Sequence, residues 1–120
     1  MKRKIKLKAL RKKAEEVFHS YIVKRDRKVC FTCGKPGDQA GHFCHGRLDF
    51  DEMNLHCSCA RCNCWLHGNL GVYAINLDKL CGAGAAEALL LRANTTNNKY
   101  NRTELEGFLE KYTRLLNEGL

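Results

Sequence analysis

Two Cys-x-x-Cys pairs, Cys30–Cys33 and Cys59–Cys62, stand 25 residues apart in a chain of 120. Such a turn aims two sulfurs at one point, and two of them complete the tetrahedral thiolate set that zinc takes in a closed structural site. His42, Asn54 and Asn63 lie among them. A histidine titrates near neutrality and suits the removal of a proton from water. The amide oxygen of Asn63, directly after Cys62, would be a minimal ligand for a hard divalent ion such as Mg²⁺ or Mn²⁺, which keeps several of its waters. Together these groups suit phosphodiester hydrolysis, with zinc preorganising the site from outside the reaction. Asn54 would close a turn through its amide. His67 follows Asn63 by four residues, hence on the same helix face, and would give the catalytic metal a second ligand.

The other four cysteines, Cys44, Cys57, Cys64 and Cys81, read most simply as small buried hydrophobes. A second zinc would have to draw on Cys44, His45, His56 or Cys57. Nothing in the sequence resembles a secretory signal or a membrane span, so no oxidising compartment is indicated and the paired cysteines read as metal ligands rather than disulfides.

The elements that would position these groups follow from period and punctuation. Leu10, Ala14, Val17, Phe18, Tyr21 and Ile22 recur at helical spacing and predict an amphipathic helix over 7–27. From Val29 to His67 that period disappears; extended pieces fit at 39–43 and 53–57, and a short helix at 60–66, with Trp65 as its packing residue. Leu70, Tyr73, Ala74, Leu77 and Leu80 form a third stripe, ended by Gly82. An apolar run over 85–93 and a loop at 95–98 precede a last helix, for which Thr103 and Glu106 predict a capping box. The expected fold is α+β within one domain. A basic arm and helix (1–28) leads into a zinc-bearing ββα centre (29–68) and a helical region packed on it (69–120).

Charge is uneven. Twelve of the 21 lysines and arginines lie in the first 28 residues, against three acids, and the remainder is nearly neutral. A basic block on a neutral body points to a polyanion, with a solubility tail as the alternative. Lys2, Arg3, Lys4, Lys6, Lys8, Arg11, Lys12 and Lys13 are the candidate phosphate contacts, joined by Arg47 and Arg61 near the centre.

Gln39-Ala-Gly-His42-Phe, Leu48-Asp-Phe-Asp-Glu-Met-Asn54, Cys59-x-x-Cys-Asn63 and Gly68-Asn-Leu70 resemble the HNH nucleases, and among them the NinG (Rap) recombination nucleases of lambdoid phages. The resemblance implies a ββα-metal core and a divalent-metal-dependent DNA endonuclease acting on branched or displaced-strand recombination intermediates in the host cytoplasm. His42 would be its base, Asn54 the side chain that bonds backbone and keeps the His42 loop in shape, and Asn63 the metal ligand. Many HNH enzymes carry an acid or histidine just before the catalytic histidine; this chain has Gly41. Symmetric cutting of a four-way junction would call for a homodimer. The rival class is a zinc-ribbon DNA-binding protein without catalysis. A protein-interaction module using the helical tail explains neither the charge nor the site.

Overall fold

The computed structural model describes residues 4–119, so the expected contacts of Lys2 and Arg3 lie outside the described residues. α1 spans Leu7–Arg25 and buries Leu10, Ala14, Phe18, Tyr21 and Ile22 along one face. It stops two residues earlier than its period predicts. Arg27 and Lys28 both take left-handed backbone conformations, with φ of 56° and 58°. Asp26, at the turn, ties the helix end to the sheet: one carboxylate oxygen accepts from Arg25 Nε and the other from the Cys57 backbone N–H, both at 2.8 Å.

β1 (Gln39–His42) and β2 (Leu55–Ser58) pair antiparallel, with Gln39 opposite Ser58 and His42 opposite Leu55. The chain crosses closely at Ser58, with glycine on either approach. A Cβ on Gly41 would sit 2.4 Å from Ser58 Oγ, and one on Gly37 would sit 2.8 Å from the Ser58 backbone. A five-residue π-helical turn, Arg61–Trp65, follows the second cysteine pair; Leu66 N–H donates to Arg61 O across five residues. Then come α2 (Leu70–Cys81), α3 (Ala85–Thr95) and α4 (Arg102–Asn117). The result is a mixed α+β fold around a two-stranded sheet, and no helix among the described residues is long and apolar enough to cross a membrane.

The apolar residues settle into two cores. Phe18, Tyr21 and Ile22 of α1 meet Leu105 and Tyr112 of α4, with Phe50 and Leu55 closing the group. Phe43 and Leu48 meet Tyr73 and Leu77 of α2 and Leu89 of α3 in the other. Tyr73, fully buried, links the sheet to this second core: its hydroxyl donates toward Gly41 O at 2.8 Å and stands 3.1 Å from His56 Nδ1.

Several expectations fail for identifiable reasons. The capping box belongs to Asn101 and Glu104, not Thr103 and Glu106. Asparagine is the stronger N-cap, and starting there gives Leu105 a full preceding turn. Trp65 is 80 % exposed and packs nothing, and Leu70 and Leu80 are 40 % and 65 % exposed, because α2 buries only Tyr73 and Leu77. Cys44 and Cys57 are buried as expected, whereas Cys64 and Cys81 are exposed.

Candidate functional site

The sulfurs of Cys30, Cys33, Cys59 and Cys62 lie within 4.8 Å of one another, the only such group of metal-ligating side chains among the described residues. Each pair sits on a turn whose backbone bonds close behind it: Cys30 N–H donates to Lys35 O at 2.7 Å, and Asn63 N–H to Cys59 O at 2.9 Å. Burial opposes ionisation of Cys30, but the Thr32 hydroxyl at 3.3 Å and nearby backbone N–H groups bring its thiol down to about 6. Cys33 is favoured as thiolate by the Lys35 backbone N–H, yet the three neighbouring sulfurs push it up. Four crowded thiols with donors around them suit a soft-ligand structural metal such as zinc. Among the described residues no second zinc set assembles: His56 is held by Tyr73, and its ring stacks on Phe31 at 4.0 Å.

His42 ends β1 with its side chain 20 % exposed and Nε2 3.4 Å from Asp49 Oδ1. The ring is flanked by His19 of α1 and by His45, centroids 5.8 and 5.7 Å away. Burial, then the nearby His42, lowers the pKa of His19. Asp49 is held by more than His42: its Oδ2 accepts from Arg11 Nη2 at 2.8 Å and Asn98 Nδ2 at 2.7 Å. Burial works against its ionisation, but His42, Asn98 and Arg11 keep the carboxyl at about 2.

The loop after His42 is organised from within by Asn54, which is fully buried. Its Oδ1 accepts from Cys44 N–H at 2.7 Å, and its Nδ2 donates to Cys44 O, Arg47 O and Leu48 O at 3.0–3.1 Å. Asn63, on the π-helical turn, donates through Nδ2 to Gln39 Oε1 at 2.9 Å. Its Oδ1 lies beside Gly41, 3.2 Å from where a Cβ would be. The second cysteine pair thus delivers an amide oxygen to the residue next to His42. A side chain at position 41 would press on the Ser58 hydroxyl and on this amide, a crowding that glycine avoids.

His67 does not share a helix face with Asn63. The turn ends at Trp65, and His67 is exposed in a left-handed conformation (φ 50°) beyond it, so the expected i, i+4 pairing has no helix to carry it. Lys4, Lys6, Lys8, Lys12, Lys13, Arg47 and Arg61 are exposed. Arg11 is not: it is turned inward, bonded to Glu15, Asp49 and the Asn98 carbonyl, with its guanidinium 5.2 Å from the Tyr100 ring. A cleft of about 610 Å³ between α1 and β1, lined in part by His19, Lys24, Lys28, Gln39 and Ala40, opens beside the site. Sequence reasoning overlooked Asp49, His19 and Gln39. For Asp49 and Gln39 the signal was present, an acid inside the Leu48–Asn54 stretch and an amide at the head of the Gln39–Phe43 one; for His19 none was.

Residues 1–118 match the family model described as Bacteriophage Lambda NinG protein. Similar proteins include Protein ninG of Escherichia phage 933W, 29% identical over 115 residues, which covers 89% of this chain and 56% of that protein. Protein ninG of Salmonella phage P22 is 28% identical over 115 residues, covering 89% of this chain and 56% of that one. Protein ninG of Escherichia phage lambda is also 28% identical over 115 residues, covering 89% and 55%. The chain therefore spans about half the length of the curated relatives it matches. No solved structure matches it significantly.

Proposed function

This chain belongs to the NinG family of phage proteins, and from that premise we propose that it is a zinc-stabilised, divalent-metal-dependent HNH-type DNA endonuclease for branched or strand-displaced DNA. The observation that carries the proposal is that two groups suited to this chemistry meet one short stretch of backbone, at Gly41 and His42. The partly exposed imidazole of His42 follows Gly41 in the chain, and the Asn63 amide oxygen reaches Gly41 from the metal-anchored turn. His42 takes the proton from the attacking water. Asn63 Oδ1 would hold a hydrated Mg²⁺ or Mn²⁺, which when bound supplies positive charge to the phosphoryl oxygens. With His67 off the turn and no side chain at Gly41, that ion would rely on water and DNA phosphate for the rest of its shell. Asn54 keeps the segment after His42 in one shape. The exposed lysines of the arm and of α1, with Arg47 and Arg61, neutralise phosphates around the site.

The test is cleavage of labelled linear, forked and four-way DNAs in Mg²⁺, Mn²⁺ or EDTA. His42→Ala should lower the rate by about 10²–10⁴, with zinc content and DNA binding kept. Asn63→Ala should also lose cleavage, with partial recovery in Mn²⁺. A His42→Ala protein that cuts as fast as wild type rejects the mechanism. A wild type that binds but cuts none of the DNAs in either metal is instead a zinc-bearing DNA-binding protein.

A further inference from the structure

On the reading of His42 as base, we propose that Asp49 is its positioning residue. The carboxylate, clamped by Arg11 and Asn98, takes the His42 Nε2–H and leaves Nδ1 as the ring atom that receives the proton from water.

The two carboxylate oxygens have divided tasks. Oδ1 faces Nε2 at 3.4 Å, and Asp49 is the one acid at ion-pair distance from His42 among the described residues. Oδ2 accepts from Arg11 and Asn98 at 2.8 and 2.7 Å. Asn98 also grips the backbone, its Oδ1 accepting from Asp49 N–H at 3.3 Å. Arg11 in turn is fixed by Glu15 at 2.8 Å and by the Asn98 carbonyl at 3.0 Å. The carboxylate is thus held in one orientation by α1 on one side and the segment before α4 on the other. It is only 17% exposed and its donors keep it ionised, so it is an acceptor and nothing else.

An acceptor fixed against one ring nitrogen decides which nitrogen carries the proton. The flanking imidazoles of His19 and His45 bring no negative charge to compete for it. The separation of 3.4 Å is longer than a formed N–H···O bond, and catalytic hydrogen bonds commonly tighten to that range once substrate is bound. In the step, water loses a proton to Nδ1 as its oxygen bonds to phosphorus. The electron pair of the scissile P–O bond leaves with the departing oxygen, which takes a proton from solvent.

The test begins with the unaltered zinc-loaded chain, labelled with ¹⁵N, and the imidazole nitrogens of His42 assigned with His42→Gln. Neutral His42 should carry its proton on Nε2, in slow exchange, with Nδ1 bare. A proton on Nδ1 overturns the proposal without any variant at position 49. Asp49→Ala should then lower kcat on whichever DNA is cut by about 10²-fold, with KM and zinc content unchanged and the slow Nε2–H signal lost. Asp49→Asn keeps the size of the side chain, but with its amide oxygen held by Arg11 and Asn98 it turns an N–H₂ donor toward His42 Nε2, and should behave alike. A carboxylate that only braced the fold would change melting and leave the His42 nitrogen spectrum as it was. If His42→Ala abolishes cleavage while folded Asp49→Ala keeps wild-type kcat, the role of Asp49 falls and that of His42 stands. A His42→Ala enzyme at full rate removes both.

Discussion

Replacing Asn54 by alanine should be among the most damaging single changes outside the cysteines. The side chain is fully buried and makes four hydrogen bonds to backbone, one as acceptor at 2.7 Å and three through Nδ2 at 3.0–3.1 Å. Alanine leaves the Cys44 N–H without its acceptor in a site that water does not reach, and three carbonyls lose a donor. A stranded buried donor costs about 1–3 kcal/mol and each lost bond about 1 kcal/mol; since the two Nδ2 hydrogens are shared among three oxygens, the total is about 3–5 kcal/mol. Against a stability of about 5–15 kcal/mol for a domain of this kind, the variant folds but with little margin. Asn54→Asp sharpens the test. It keeps shape and acceptor, but at neutral pH it turns a carboxylate oxygen toward three carbonyl oxygens. It should therefore be worse than alanine at pH 7 and recover as acid protonates it. Urea unfolding of the zinc-loaded proteins reads this directly, as a lower midpoint at unchanged slope. A loss below about 1 kcal/mol for alanine, or an aspartate variant as stable as wild type at pH 7, would refute the role assigned to this amide.

Cys30→Ser or Cys62→Ser should give unfolded or insoluble protein without bound metal, because a closed thiolate site contributes folding energy directly, whereas exposed Cys81→Ser should be mild; metal analysis and solubility distinguish them. Burial, with Arg25 nearby, depresses His56 from 6.5 to about 4, so its contribution is complete above pH 6.5 and is lost as pH falls toward 4, when only the unfolded chain takes the proton. That loss amounts to about 3 kcal/mol, and His56→Gln should flatten the decline in urea midpoints between pH 7 and 4.5; parallel declines would contradict it. Deleting residues 1–8 should leave the fold intact and weaken DNA binding, flattening the slope of log K against log salt by about 0.9 for each lost duplex-phosphate contact; equal slopes would reduce the arm to a solubility tail.

What the sequence discloses here is what short range determines. The cysteine spacing placed four sulfurs together because each pair is made by its own turn. The stripe of α1 was legible because one face meets one core. The end of α1 was not, since it is decided by Asp26 reaching Cys57 N–H, 31 residues away. The same holds for Asp49, whose orientation depends on Arg11 and Asn98, 38 and 49 residues distant. Arg11 itself looked like one more phosphate contact among its lysine neighbours, and only the fold shows it facing inward. Trp65 and Leu80 misled because helical spacing marks apolar residues without saying whether a partner covers them.

The close crossing at Ser58 also bears on how this site can be changed. Adding a ligating acid at position 41 would bring its Cβ to 2.4 Å from Ser58 Oγ, 3.1 Å from Ser58 Cβ and 3.2 Å from Asn63 Oδ1, so the hydroxyl must turn away and both neighbours must give slightly. Ser58→Ala removes the closest of these contacts, and the rest ask a few tenths of an ångström of Ser58 Cβ and the Asn63 amide. A side chain at position 41 therefore sits more easily beside alanine than beside serine, and a designer adding the acid should alter residue 58 in the same step.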